Sequence, residues 1–323
     1  VSNPRDHHYI PEFYLDKWAN DKGNVCVYSP QNNEVIRAFF RHPGGTGYQR
    51  DLYRIEGVPL ECAQVYEADF FTTIDNDAAI ALSVMLRDGV EKLDEGRRHA
   101  WIRFIVSLRL RTPEKIEEIR REISDIYNAA IESFKLEIAA AGKTIDTIDD
   151  LNAIESDYFI RSRVSSLDLV AKLIDSDNFI DHFENSYWRI LSVNQSNIGL
   201  LTSDRPVHTY GDNELSEAFL CLPISPDSIF VSARSPSVLS KLSGVGQNKL
   251  AREANLRVVA QAQRFVWGNT ASHLSFVRKN MGRIPDEPVV PAHGKELAMQ
   301  MVSPSKKAPT DQVEPNQERD GDA

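Results

Sequence analysis

Three helical seams in this chain carry a hydrophilic residue where an apolar one belongs, and such positions are candidates for chemistry. In the segment 60–87 the apolar positions Phe71, Ile74 and Ala78 recur at three- and four-residue steps, and the same stripe runs back one turn to Glu67. A carboxylate on a core-facing seam is costly unless it is paired or protonated. Asp75 follows about 80° around the helix and borders the same face. In the segment 95–111 the stripe Trp101, Phe104, Ile105 and Leu108 leads to Arg111, whose planar guanidinium calls for a carboxylate partner. The last seam, Ala251, Val258, Ala262 and Phe265, has Asn255 in its middle.

Two loop segments complete the set. His7-His8-Tyr9-Ile10-Pro11 places two imidazoles just before a helix start, where free N–H groups also favour anions. Of the two, His7 is expected to be exposed. Thr202-Ser203-Asp204-Arg205-Pro206 follows an expected strand. His8, Asp204 and Glu67 are the imidazole and carboxylate donors that would suit a divalent metal activating water. Arg111 would neutralise a phosphoryl oxygen, and His7 would act as general acid or base. That reading makes the chain a metal-assisted hydrolase, of the phosphodiesterase or nuclease kind, with His8, Glu67, Arg111, Asp204 and Asn255 as its site.

Each residue also has a structural alternative. Glu67 with Arg111 reads as a buried ion pair fixing helix register, Asn255 as a satisfied core amide, Asp204 as a turn former and His8 as a cap or core residue. No pair has diagnostic metal-ligand spacing. Ser203 as a nucleophile lacks the Gly-x-Ser-x-Gly elbow. Gly44-Gly45-Thr46-Gly47 lacks the Gly-Lys-Ser/Thr ending of a nucleotide loop and reads as a turn. The arginines 97, 98, 103 and 109 read as a solvated face. The competing reading is a noncatalytic binding or regulatory protein of a bacterial defence or stress module, whose partner surface is the charged helix from Pro113.

The elements that must position these residues follow from the same pattern. A helix runs from Pro11 to Asn20, and strand-like runs at Val25–Tyr28 and Val35–Phe40 form a hairpin. Helices cover Leu60–Arg87, Glu95–Arg111, Pro113–Ala141 (ended by Gly142) and Ser156–Ile174. The period then changes to two, giving strands at Tyr187–Val193, Gly199–Leu201, Ala218–Leu222 and Ser228–Ala233. A final helix spans Gln247–Trp267. After Met281 the composition is too polar and Pro-rich to order itself.

With 41% hydrophobic residues and a mean hydropathy of -0.37, the 323 residues supply a sizeable core. The expected organisation is one globular domain over 1–280, helix-rich to 180 and sheet plus final helix beyond, then a disordered tail over 281–323. The longest strongly apolar stretch, Ala78 to Leu86, is broken by Ser83, and a membrane span needs about 20 such residues. The start has no apolar region of a secretory signal. Val1 fits a literally translated GUG start of a bacterial gene as well as it fits a trimmed sequence. Cys26, Cys62 and Cys221 form no CxxC pair, which argues against a disulfide framework or cysteine zinc site and for a reducing, cytoplasmic compartment. The tail from Ser303 holds five acids against three bases, so -8 of the net -10 lies on the body. Generic nucleic-acid binding is therefore not expected, though a local basic cleft is compatible with this charge; a protein partner also is.

Several of these segments, taken in order, resemble the domain-of-unknown-function family 4238. They are His7-His8-Tyr9-Ile10-Pro11-Glu12-Phe13-Tyr14-Leu15, Asp51-Leu52-Tyr53, the Glu67–Asp75 helix, Arg111-Thr112-Pro113, Thr202-Ser203-Asp204-Arg205-Pro206-Val207, Leu222-Pro223-Ile224-Ser225-Pro226 and Asn255. Asp75 stands where that family is expected to carry glutamate. The resemblance covers about residues 7 to 265 and implies one recurring constellation of the residues above, with no activity attached. The fold expected is α+β, a predominantly helical layer packed on a small antiparallel sheet with a disordered C-terminal tail.

Overall fold

A computed structural model describes residues 5–31, 34–142, 148–211 and 217–285. The chain opens with a three-residue strand, β1 (Asp6–His8), and a short helix, α1 (Glu12–Leu15), that tightens into a 3-10 turn at Asp16–Trp18. The expected hairpin follows as β2 (Val25–Pro30) and β3 (Ile36–Arg41), and then comes β4 (Tyr48–Arg50). The helical part comprises α2 (Leu60–Ala63), α3 (Thr72–Asp88), α4 (Glu95–Leu110), α5 (Pro113–Ala140), α6 (Ile148–Ile174) and α7 (Asp177–Glu184). Beyond it lie β5 (Tyr187–Ser192), β6 (Thr202–Ser203), β7 (His208–Tyr210), β8 (Phe219–Ser225) and β9 (Ser228–Ala233). The described part ends through α8 (Pro236–Ser243), α9 (Gln247–Gln261), β10 (Val266–Gly268) and α10 (Leu274–Asn280).

The architecture is α+β with antiparallel sheets, but the strands are divided differently from the expectation of one small sheet. One four-stranded sheet has the order β3-β2-β10-β6 and the other β5-β9-β8-β7, while β1 pairs with β4 alone. The strand expected at Gly199–Leu201 lies slightly later, at Thr202–Ser203, and joins the first sheet through β10. The helix expected as the final one ends at Gln261 rather than Trp267 and is followed by α10, and Val266–Gly268 becomes a strand between β2 and β6. Of the tail expected over 281–323, residues 281–285 are described, with the Ile284 amide donating to the Ala260 carbonyl at 2.8 Å, and 286–323 lie outside the described residues.

Local signals explain the sharper boundaries. Asp94 caps α4 by accepting from the Arg97 amide at 2.8 Å, and Pro113 opens α5 at a first-turn position where no N–H is needed. The largest apolar cluster joins α3, α4 and α5 to the strands β8 and β9 and to the N-terminal segment. Three aromatic residues rivet that segment down. Tyr14 donates to the Pro223 carbonyl at 2.6 Å, the Trp18 indole to the Leu200 carbonyl at 2.8 Å, and the Trp267 indole to Thr46 Oγ1 at 3.1 Å. Each buries a large apolar body while its polar tip is matched, which is the condition for burying such side chains without penalty. Among the described residues no helix is long and apolar enough to cross a membrane.

Candidate functional site

The first wall of the site is the ladder of β1 with β4. Gly47, at φ +71°, turns its carbonyl to accept from the amides of Tyr9 and Ile10, both at 3.0 Å. A Cβ there would stand 2.9 Å from the Ile10 carbonyl oxygen, so only glycine permits the approach. The chain turns again at Asp51 (φ +56°), whose carboxylate pairs with Arg5. This turn aims the Tyr53 amide at Nδ1 of His7, 2.9 Å away, and stacks the two rings with centroids 5.4 Å apart. His7 is therefore fully buried, contrary to the expectation of exposure. His8 is half-buried against Tyr48, and its backbone N–H donates to the Glu67 carboxylate.

Glu67 sits in a π-helical turn, Tyr66–Phe71, which leads directly into α3. The continuous helix expected from Leu60 is broken: α2 stops at Ala63, and Gln64 leaves the helical region at φ -116°, ψ 13°. Such wide turns arise where one extra residue is accommodated in a helix, and they recur at functional sites. Here the wide turn resets the phase between Glu67 and the seam Phe71, Ile74, Ala78.

Arg111 is the C-cap of α4 and is fully buried. Its guanidinium lies over the rings of Phe71 and Phe104, 5.9 and 5.7 Å from their centroids. Nη1 donates to Asp75 Oδ1 at 2.8 Å, and the Arg111 carbonyl accepts from the Tyr53 hydroxyl at 2.8 Å. The other edge, Nε and Nη2, donates to no protein atom among the described residues. Those two N–H groups form a parallel fork that matches a carboxylate or phosphoryl group.

The neighbouring electrostatics follow from enclosure. Burial, aided by the Asp75 charge, pushes the Glu67 carboxyl up to about 7 against the opposing pull of Arg111 and the His8 amide. Burial also raises Asp75, with Arg111 opposing, and lowers His8, with the Gly44 backbone and Glu12 opposing. Glu67 Oε2, His8 Nε2 and the hydroxyls of Tyr9 and Thr112 are enclosed and make no hydrogen bond to the described protein. Thr112 occupies the N-cap of α5 without capping it. An enclosed polar atom left without a partner costs about 1–3 kcal/mol, so a group of them in one place is a candidate for a site. The cluster reaches solvent at Asp75, whose side chain is 21% exposed.

The structure thus brings His8, Glu67, Asp75 and Arg111 together and places Asp204 and Asn255 apart from them in role. Both Asp204 oxygens are taken by backbone: Oδ2 accepts from the Arg264 amide at 2.6 Å and Oδ1 from the Gln263 amide at 3.1 Å. Burial raises its carboxyl to about 6 despite these two donors. That grip ends α9 and turns the chain into β10. Asn255 accepts from the Leu201 amide at 2.7 Å and donates to the Gly199 carbonyl at 2.9 Å, which satisfies it as a core amide. Among the described residues no three His, Cys, Asp or Glu side chains are grouped to hold a metal ion, so His8, Asp204 and Glu67 do not converge as the ligand set expected of them. Sequence reasoning missed Tyr9, Tyr53 and Thr112 as members of the cluster; their only advance signal was membership of the quoted motifs.

No curated protein and no solved structure matches the chain. A family model described as "Protein of unknown function (DUF4238)" matches residues 6–272, and the chain belongs to that family.

Proposed function

We propose that the cluster is the acid–base site of a hydrolase acting on anionic esters, phosphodiesters first among them. The observation that carries this reading is the Nε/Nη2 fork of Arg111, which donates to no protein atom among the described residues, beside a glutamate whose Oε2 likewise has no partner there. The fork would take two phosphoryl oxygens and stabilise the charge that grows on them in the transition state. A neutral imidazole has one nitrogen able to accept a proton, and burial favours the neutral form of His8. Water would attack phosphorus with its proton passing to that imidazole, as the bond from phosphorus to the leaving oxygen breaks. Glu67, with its carboxyl near 7, would give its proton to that oxygen. Asp75 orients the guanidinium through Nη1, while Asp204 and Asn255 fasten the surrounding strands. No step uses a metal, because the described donor set does not offer three ligands. The free thiols of Cys26, Cys62 and Cys221 support the cytoplasmic setting.

Hydrolysis of a chromogenic phosphodiester tests the proposal. The unaltered chain is expected to turn it over; Glu67→Gln should lower the rate by about 10²-fold or more, and Arg111→Lys by a similar factor. Turnover that is absent, or equal in all three proteins, would count against it. The noncatalytic reading draws support from one feature, a groove of about 440 Å³ between α5 and α6 lined by Tyr127, Glu132, Lys135 and Glu155. Reversing Glu132 and Lys135 there should leave ester hydrolysis intact if the catalytic reading holds.

A further inference from the structure

Away from the Arg111 cluster, one ionisable ring is buried in the wall of a largely apolar pocket. Between the sheet β5-β9-β8-β7 and the helices α8 and α9 lies a pocket of about 180 Å³, walled by Leu191, Ile229, Val231 and the rings of Tyr210, Phe219 and His208, with Lys249 and Glu253 of α9 at its polar side. Tyr210 and Phe219 are stacked, with centroids 4.6 Å apart at 15°. His208 is 4% exposed, and neither of its ring nitrogens has a hydrogen-bond partner among the described residues. The Pro206 carbonyl lies near enough to favour a charged ring, and at best it engages one N–H. Burial holds the ring neutral by lowering its pKa to about 4. A neutral imidazole keeps one acceptor nitrogen as well as one donor, and a carbonyl cannot satisfy that acceptor.

Simple packing does not account for this arrangement. An apolar side chain at position 208 would complete the wall without leaving a bare nitrogen, which costs free energy wherever water is excluded. The pocket is also of useful size: a dry apolar cavity of roughly 150 Å³ is large enough to take up benzene. We propose that this pocket binds a small, ring-sized apolar molecule bearing one hydroxyl or N–H donor, phenol being the simplest. Its ring would lie against the apolar side of the pocket beside Tyr210 and Phe219, and its donor would meet the bare nitrogen of His208. The proposal is independent of the hydrolytic reading, since it uses none of the residues of that site.

Calorimetric titration of the full chain with phenol and with benzene tests it. Phenol is expected to bind saturably and about fivefold or more tighter than benzene. His208→Leu should erase that preference while leaving benzene binding within about twofold. Ala254→Leu, which adds bulk to the same pocket, should weaken both ligands together. Phenol that does not saturate, that binds no better than benzene, or that is indifferent to Ala254→Leu would overturn the assignment. The comparison of the two ligands on the unaltered chain decides the matter even if His208→Leu does not fold.

Discussion

Glu67 is held near 7 in the folded chain, whereas a glutamate in an unfolded chain titrates near 4.3. Between those values the folded state binds more protons than the unfolded one, so this group's stabilising contribution is complete at low pH and is lost as pH rises toward 7. The shift corresponds to roughly 3–4 kcal/mol. Asp204, raised to about 6, contributes with the same sign over a lower window. Glu67→Gln should therefore be more stable than the parent at pH 8, by roughly 2–3 kcal/mol, and little different at pH 4. Urea unfolding at the two pH values checks this, and a variant no more stable at pH 8 would contradict the enclosure of Glu67. Glu67, Asp75 and Arg111 were legible in the sequence because each interrupts or borders an apolar seam. The same signal flagged Asn255, yet there it marks a fastening. A seam position reports burial, and whether the buried group is matched depends on amides such as that of Leu201, which come close only through the tertiary fold.

At the scale of elements, the π turn at Tyr66–Phe71 is the feature that separates Glu67 from an ordinary helical seam. Deleting the exposed Ala68 should let an unbroken α-helix form and rotate Glu67 relative to Arg111. The expected outcome is a folded protein, by circular dichroism and cooperative melting, in which the proposed ester hydrolysis falls by about 10²-fold. Retained hydrolysis would show that the wide turn does not position Glu67. The fastenings behave oppositely. Asn255→Leu bares the Leu201 amide and the Gly199 carbonyl and should cost about 2–4 kcal/mol in chemical denaturation, with the hydrolytic rate per folded molecule unchanged. The long helices α4 and α5 were readable because Asp94, Pro113 and Gly142 punctuate them locally. The ladder of β1 with β4 was not, since three residues carry no period and its register comes from Gly47 and Asp51 turning the chain. The end of α9 was misplaced for a related reason: Val258, Ala262 and Phe265 keep helical spacing, and it is Asp204, 59 residues away, that captures the Gln263 amide and ends the helix.

Across the whole molecule, the N-terminal segment is what closes the site. It carries His7 and His8 and is held by Tyr14 and Trp18 to Pro223 and Leu200, in the part of the chain that forms the sheets. The overall α+β class was available from composition and periodicity, while the division into two four-stranded sheets rests on long-range pairing. The proposed hydrolysis depends on Arg111 offering its Nε/Nη2 edge to an oxyanion. Calorimetric titration with inorganic phosphate, comparing the unaltered chain with Arg111→Lys and with the exposed control Arg87→Lys, measures this directly. Saturable binding in the parent and the control, weakened about tenfold or more in Arg111→Lys, is the expected result. Binding that Arg111→Lys leaves unchanged, or no binding to the parent, would contradict it.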